Sequence, residues 1–460
     1  MTLEYGKSRL LVPALLAASI GLIGCGGGGG SGGSGNTPET GITVIPERFD
    51  FGTITEGNED QALPRQFIIR NEGTTSYNIE DIRVRRDNFD AFFLDRSGGS
   101  APCGTRPFDL APGDSCTVVV EFKTQHLPLH VGKFDGLLIA ESDNPNIRTV
   151  GSTLAGTYEP IKSINVTVNQ VNDCALPAPQ AFQAFVSVTD QAKFPISHLN
   201  ESHFTLVELE SGPASNPLDV IDVGQVGDIN LSLSIAMDYS GSITDFPDAV
   251  DNMEAGATSL VNAMKDNDDA DIIKYADDVQ AMTTEFTSDK DILKAAINNP
   301  PALDRDTAFY DATVEAIQRF DTANSTHDRK AVIALTDGED TIVDDTEAAL
   351  ADAIAQALGA DIPVFTIGFG EFLQEAQEDE LQRLADGTGG LFYQPTSDAN
   401  LQQVFQQLAS LLFKYQYVID FDGLSGKEGS SLGVTVEYVD KYGETLKADG
   451  DKTIQACSVP

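Results

Sequence analysis

Residues 229–242 read INLSLSIAMDYSGS and residues 331–338 read AVIALTDG. Each is an apolar run that stops at a cluster of small hydroxyl and carboxylate side chains, the pattern of a buried strand running into a polar loop. Further strands are predicted at Ala270–Tyr275 and Pro363–Phe369. Segments of helical period lie between and after them, around Phe246–Met264, Lys290–Ile297, Thr307–Phe320, Thr346–Leu358 and Glu375–Ala385, followed by a strand and helix to Leu412. Strands alternating with helices predict a largely parallel sheet covered on both faces. Such folds bind ligands beyond the carboxyl ends of their strands. Three loops fall there: Asp238-Tyr239-Ser240-Gly241-Ser242, Asp304-Arg305-Asp306 ahead of Thr307 (predicted to open a helix), and Thr336-Asp337-Gly338. A helix cap would explain the first loop alone. It does not explain all three.

The DxSGS loop, the Thr of Thr307-Ala308-Phe309-Tyr310-Asp311-Ala312 and the Thr336-Asp337-Gly338 loop resemble the metal-ion-dependent adhesion site of von Willebrand factor A and integrin I-type domains. ADIIKYADDV at 270–279, IPVFTIGFG at 362–370 and LADGTGGLF at 384–392 agree with that resemblance. It implies a Rossmann-like α/β domain over 226–413 that binds Mg²⁺, or Mn²⁺ or Ca²⁺ in its place. It also implies Ser240, Ser242 and Thr307 as direct ligands, with Asp238 and Asp337 acting mainly through water. A hard cation takes about six oxygens, and neutral hydroxyls leave it under-neutralised. An open position therefore attracts an Asp or Glu carboxylate from a partner protein. Arg305-Asp306 stand where many family members have Gly-Gly, and Ile243 stands where Met is common. Both departures bear on the ligand more than on the metal.

The flanks are β-rich. Alternating runs at Asn165–Val171, Ala184–Thr189 and Phe204–Leu209 precede the α/β segment, and Tyr415–Phe421 and Leu432–Val439 follow it. Either flank alone is too small to bury a core. Residues 160–225 and 414–458 are thus expected to form one discontinuous β-sandwich carrying the α/β domain as an insert. Upstream, residues 41–158 show short runs at Ile42–Ile45, Gln66–Arg70, Tyr77–Val84, Thr117–Phe122, Leu137–Ala140 and Thr149–Leu154, which predicts a sandwich of roughly seven strands. Phe49-Asp50-Phe51-Gly52, Asn71-Glu72-Gly73-Thr74, Leu110-Ala111-Pro112-Gly113-Asp114-Ser115-Cys116 and Leu154-Ala155-Gly156-Thr157 resemble the Hydin-like, or choice-of-anchor D, immunoglobulin-like domains. That resemblance implies a stalk without catalytic residues, so the fold class is multidomain.

Residues 1–25 read as an export signal, with Lys7 and Arg9 ahead of an apolar run from Leu10 to Gly24. Leu22-Ile23-Gly24-Cys25 resembles the bacterial lipobox, which implies lipidation of Cys25 and anchoring to a membrane. Gly rather than Asp at position 26 implies the outer membrane or cell surface of a Gram-negative bacterium. Residues 26–40 are a Gly/Ser-rich tether. Four cysteines remain, in a context where disulfides persist. Pairing near neighbours joins Cys103 to Cys116 and leaves Cys174 with Cys457, one of three connectivities that four cysteines allow.

The net charge of −42 is uneven, with 52 acidic and 16 basic residues in 159–460 against 17 and 11 in 41–158. Such a surface repels nucleic acid. No Ser/His/Asp grouping, GxSxG or phosphate loop is present, so no enzyme is expected. Asp266–Asp271 lacks the Gly and bidentate Glu of a calcium loop and reads as a solvated acidic turn, and His198 and His203 read as surface residues. Two functions remain. One is capture of a protein ligand through the metal site, and the other is an envelope scaffold or assembly lipoprotein.

Overall fold

The computed structural model describes residues 41–453, except 60–61, 86–89, 125–130, 145–148, 173–181, 210–214, 228, 245–246, 303–304, 371–372, 396–399, 425–430 and 441. Cys25, the expected signal and tether, and the expected Cys174–Cys457 pair lie outside the described residues. Residues from 41 onward form one compact unit.

The first part contains β1 (Ile42–Ile45), β2 (Arg48–Thr55), β3 (Arg65–Asn71), β4 (Tyr77–Arg85), β5 (Phe92–Asp95), β6 (Phe108–Leu110), β7 (Ser115–Phe122), β8 (Gly132–Ser142) and β9 (Thr149–Glu159). One sheet has the order β1-β3-β7-β5 and the other β2-β9-β8-β4-β6. Alternate residues such as Val118, Val120 and Phe122 of β7 point into a core shared by both sheets. Phe51, Phe92, Phe122 and Phe134 pack there at centroid distances of 5.3–6.2 Å. Strands β2, β5 and β6 were not expected. β5 and β6 are too short to show a period, and β2 is broken by a register shift between Asp50 and Thr53. Gly52 takes a φ of +74° there, a turn that Asp50 holds by accepting the Gly52 amide at 2.9 Å. Cys103 and Cys116 are disulfide-bonded, with Cα atoms 4.8 Å apart.

Next come β10 (Ile164–Asn172), β11 (Phe182–Asp190), β12 (Phe204–Leu209), β13 (Ser215–Pro217) and β14 (Asp219–Gln225). The α/β segment follows, with β15 (Ser232–Asp238), α1 (Gly241–Thr244), α2 (Pro247–Ala263), β16 (Asp269–Tyr275), β17 (Val279–Ala281), α3 (Lys290–Asn298) and α4 (Phe309–Thr322). It continues with β18 (Lys330–Thr336), α5 (Thr346–Gly359), β19 (Val364–Gly368), α6 (Glu375–Thr388), β20 (Phe392–Tyr393) and α7 (Leu401–Ser410). A π-helical turn at Leu411–Tyr415 leads into β21 (Tyr417–Asp422), β22 (Ser431–Val439) and β23 (Thr445–Thr453). That turn is why β21 begins two residues later than its alternation suggests.

The α/β sheet has the order β17-β16-β15-β18-β19-β20 and is parallel except for β17 at its edge. β15, β16 and β19 are buried along their whole length, polar residues such as Ser234, Asp271, Lys274 and Thr366 included. Helices α2, α3 and α7 cover one face, and α4, α5 and α6 the other. Gly256 lets α2 and α7 close, since a Cβ there would lie 2.2 Å from the Phe405 ring. The flanking strands form sheets β10-β11-β21-β14 and β13-β12-β22-β23. β11 pairs with β21 from Phe182↔Phe421 to Val186↔Tyr417, and β12 pairs with β22 from Phe204↔Val436 to Leu209↔Ser431. Strands from before and after the α/β segment therefore share both sheets and one core.

Asp190 joins the first two-sheet part to the second. Its Oδ2 accepts the Thr55 hydroxyl of β2, and its Oδ1 accepts the amides of Ala192 (2.8 Å) and Phe194 (3.0 Å). Burial pushes this carboxyl from 3.8 up to about 6 despite those bonds. The folded state thus holds the proton more tightly than the unfolded one. Stability contributed by the protonated form is lost as pH rises from 3.8 through about 6, ~3 kcal/mol at most. Asp190→Asn keeps the Oδ1 acceptor and removes the titration. It should melt above the wild type at pH 7.5 and lose that advantage at pH 4. Equal differences at the two pH values would contradict this assignment.

Candidate metal centre

The three loops meet at the carboxyl ends of β15 and β18. β15 ends on Asp238, which is fully buried; its Oδ1 accepts the Ser240 amide and its Oδ2 the Thr336 hydroxyl, both at 2.8 Å. This turn brings the Ser240 and Ser242 hydroxyls to 3.0 Å from one another. Ser242 Oγ then donates to Asp337 Oδ1 at 2.7 Å, across 95 residues of chain. A Cβ on Gly370, whose φ is +92°, would lie 3.2 Å from Asp337 Cβ, so glycine allows the β19 loop to close behind that aspartate.

The third loop is held against the first by the Gly241 amide, which donates to the Arg305 carbonyl at 2.9 Å. A Cβ on Gly241 would lie 2.9 Å from Arg305 Nε and Nη2, so the guanidinium lies over the glycine of the DxSGS loop. Thr307 does not open a helix. α4 begins at Phe309 with Ala308 at its N-cap. Thr307 is instead tied to Thr341, donating its amide to Thr341 Oγ1 (2.8 Å) and accepting the Thr341 amide at its carbonyl (2.9 Å). The α4 terminus is capped from a distance. Asp340 Oδ2 accepts the Tyr310 amide at 2.9 Å, and Oδ1 accepts those of Ile342 and Val343 at 2.9 and 3.1 Å.

Thr336, Asp340 and Thr341 are therefore part of the site's frame, and sequence reasoning did not assign them that role. Their signal was the polar run Thr336-Asp337-Gly338-Glu339-Asp340-Thr341, too long for a simple turn. Burial pushes Asp238 up to about 6, opposed by its bonds from Ser240, Thr336 and the Asp337 amide. Among the described residues no cationic side chain forms an ion pair with it.

The donors fit a hard cation. A hard cation takes oxygen ligands, and the Ser240 and Ser242 hydroxyls, 3.0 Å apart, converge beside Asp337, whose Oδ1 lies 2.7 Å from Ser242 Oγ. A cation there would also offset the cost of the buried Asp238 charge. Among the described residues no group of three or more His, Cys, Asp or Glu is placed to hold a metal, so the candidate centre is one of hydroxyls with two carboxylates. The acidic turn at Asp266–Asp271 is not wholly solvated as expected. Asp268 is buried, accepting the amides of Leu231 (2.8 Å) and Lys265 (2.7 Å), and Asp271 is buried in a bidentate pair with Arg319 at 2.6 and 2.8 Å. These carboxylates are structural, because a buried charge persists when it is paired or fully hydrogen-bonded. His198 is exposed, and His203 closes a capping box with Asn200.

With this geometry in place, residues 233–407 match the family model for the von Willebrand factor type A domain. This segment is a von Willebrand factor A domain. No curated protein matches the chain. Among solved structures it is similar to a von Willebrand factor type A protein from Catenulispora acidiphila at 16% identity, covering 63% of this chain and 74% of that one, with a TM-score of 0.36. Proximal thread matrix protein 1 of the mussel byssus is 17% identical over 41% of this chain, with a TM-score of 0.35, and the match spans 49% of that protein. The vWF domain of the type V pili tip protein Mfa5 from Porphyromonas gingivalis is 13% identical over 40% of this chain and 95% of that one, with a TM-score of 0.33.

Asp340→Ala leaves the amides of Tyr310, Ile342 and Val343 without their acceptor. It should lower unfolding stability by about 1–3 kcal/mol, read by urea denaturation. A loss below about 0.5 kcal/mol, the scale of an ordinary surface substitution, would show that the long-range cap is not what holds this loop.

Proposed function

We propose that the von Willebrand factor A domain binds Mg²⁺, with Mn²⁺ as a substitute, and uses it to capture a carboxylate of a partner protein. The observation that carries this reading is the contact chain from Ser240 through Ser242 to Asp337 at 3.0 and 2.7 Å, beside a buried aspartate. These contacts are ordinary O–H···O distances and do not select among Mg²⁺, Mn²⁺ and Ca²⁺. Ser240, Ser242 and Thr307 would bind the ion directly. Both oxygens of Asp238 already accept hydrogen bonds, which favours its acting through water, and Asp337 would do likewise. Arg305, lying over Gly241, would put a positive charge beside the incoming carboxylate and help to offset Asp306. This is binding chemistry rather than catalysis.

Cys25 would carry the lipid, residues 26–40 the tether, and residues 41–158 an immunoglobulin-like spacer that holds the domain away from an outer membrane. The flanks, 160–225 with 414–458, would act as a discontinuous sandwich that mounts the insert. One observation favours the scaffold reading instead: residues from 41 onward are a single compact unit, suited to holding partners at fixed angles. Protease treatment of intact cells separates the two, because an outward-facing receptor is cleaved and a periplasmic scaffold is not.

Calorimetric titration of the chain from residue 26 with MgCl₂ and MnCl₂ tests the centre. Thr307→Ala should weaken binding by about tenfold, equivalent to roughly 1.4 kcal/mol, and Asp238→Ala more severely, because it removes a full charge. Equal affinity in all three proteins would sink the assignment. The anchor is tested by Cys25→Ser, which should leave the membrane fraction or remain unprocessed. An unchanged membrane fraction at mature size would refute lipidation.

A further inference from the structure

Tyr239 stands inside the DxSGS loop, between Asp238 and Ser240, yet its side chain belongs to the apolar core under α2, α3 and α7. Its amide donates to the Tyr275 carbonyl at 2.7 Å, and its hydroxyl donates to Glu254 Oε1 of α2 at 2.5 Å. Over its ring lies the ammonium of Lys274, 4.2 Å from the centroid. Lys274 comes from β16, and its side chain is fully buried. The ammonium donates to the Ile297 carbonyl near the end of α3 and, at 2.9 Å, to the Asn299 carbonyl just beyond it. It also lies 3.6 Å from Glu254. The carboxyl end of a helix, where carbonyls lack amide partners, is a favourable place for a cation. Burial still pushes this lysine's pKa down to about 8, against the opposing pull of Glu254. A buried charge pair of this kind adds little net stability, and its attested use is to fix one arrangement of the groups around it.

We propose that Tyr239, Glu254 and Lys274 are positioning residues that hold the DxSGS loop in its ion-receiving conformation before an ion arrives. The effect on the ion rests on the metal reading above, whereas the rigidity of the loop does not. Asp238 and Ser240 share peptide bonds with Tyr239, so displacement of that side chain turns the peptide planes on both sides of it. Such a turn moves the Ser240 amide off Asp238 Oδ1 and carries the Ser240 hydroxyl away from Ser242. The cluster draws on α2, α3 and β16, none of which supplies a candidate metal residue. It therefore steadies the loop from behind without entering the site. Binding groups work best when packing and outer hydrogen bonds lock them in place, and a loop ordered in advance costs less to close around a ligand.

Amide exchange of the full chain in chelator, read by mass spectrometry, and calorimetric titration of the same protein with MnCl₂ test the assignment. Tyr239→Phe keeps the ring beside Lys274 and removes the bond to Glu254. Exchange in a peptide spanning 238–244 should quicken about fivefold and Mn²⁺ affinity should fall about fivefold, the worth of one hydrogen bond. The melting temperature should stay within about 3 °C. Glu254→Gln, which keeps an acceptor oxygen for the hydroxyl, should stay near the wild type in both readouts. Glu254→Leu should match Tyr239→Phe, and the two combined should do no more than either alone. Glu254→Leu also carries the test should Tyr239→Phe fold poorly. Unchanged exchange in both variants, or faster exchange spread over the whole chain, would overturn the positioning role. So would unchanged Mn²⁺ affinity in variants of a wild type that binds the ion. A wild type that binds no Mn²⁺ would overturn the metal reading instead, and exchange alone would then decide this one.

Discussion

The parallel pairing of β15 with β18 is the constraint on which the loops of the candidate centre depend. Its register runs from Ser232↔Lys330 to Ala236↔Ala334, placing the ends of two strands nearly a hundred residues apart side by side. One hydrogen bond then closes the gap, from the Thr336 hydroxyl to the Asp238 carboxylate. A one-residue slip would turn every side chain of the strand to the other face of the sheet. It would carry Asp238 away from Thr336 and separate Ser242 from Asp337. The register is held because both faces of these strands are buried under helices, so a slip would expose polar or apolar groups wrongly on both sides at once.

The opposite end of the sheet is fixed by a different kind of contact. Arg329, just before β18, is buried and donates to Gln416 at 2.6 and 2.8 Å and to the Leu412 carbonyl. Gln416 donates in turn to Asn169 of β10 at 2.8 Å, and Asn169 donates to the Gly389 carbonyl at 2.7 Å. Gln170 bonds the Asp328 carbonyl, and Lys452 of β23 pairs with Asp361 at 2.8 Å. These groups sit at the amino ends of β18, β19 and β20, facing the flanking sheets. A network of this kind stabilises little in net terms, since desolvation offsets most of the gain. Its partners are specific, however, and a rotated insert would leave Arg329 and Asn169 buried and unsatisfied. The network therefore works as an orientation constraint, while the apolar cores supply the stability.

Sequence pattern and structure agree best where burial is complete. The expected limits of β15, β16, β18 and β19 lie within one to three residues of the observed ones, because a buried apolar stretch such as Ile235–Met237 or Ala331–Leu335 marks each strand. The candidate residues Ser240, Ser242 and Asp337 could be picked out because they follow those strands directly. Thr307 was also picked out, but its conformation was not legible. Its helix start is set by Asp340 and Thr341 from another loop, a contact that no local window contains. Strands β13, β14 and β23 were missed for a related reason. β14 and β23 lie at sheet edges, where one side faces water and the alternation fades into polar residues such as Asp219, Asp222, Asp449 and Asp451.

Charge shows how these parts act together. The 16 basic residues of 159–460 do not offset the acidic surface evenly, because several lie inside the molecule. Lys274 is buried against the Tyr239 ring and the Ile297 and Asn299 carbonyls, Arg319 pairs with Asp271, Arg329 sits in the seam, and Lys452 lies beside Asp361. The interior holds carboxylates as well, among them Asp190, Asp238, Asp268 and Asp271, so burial removes charges of both signs and the surface stays strongly acidic. Such a field attracts cations in general and repels a free carboxylate. Capture of an acidic side chain would then depend on what is local: a metal of incomplete coordination and, within a few ångströms, the guanidinium of Arg305 over Gly241. Both would act within the ~8 Å screening length, where salt weakens electrostatics least. Long-range repulsion falls away in a saline medium, so on the proposed reading an acidic surface would still admit a partner that docks closely.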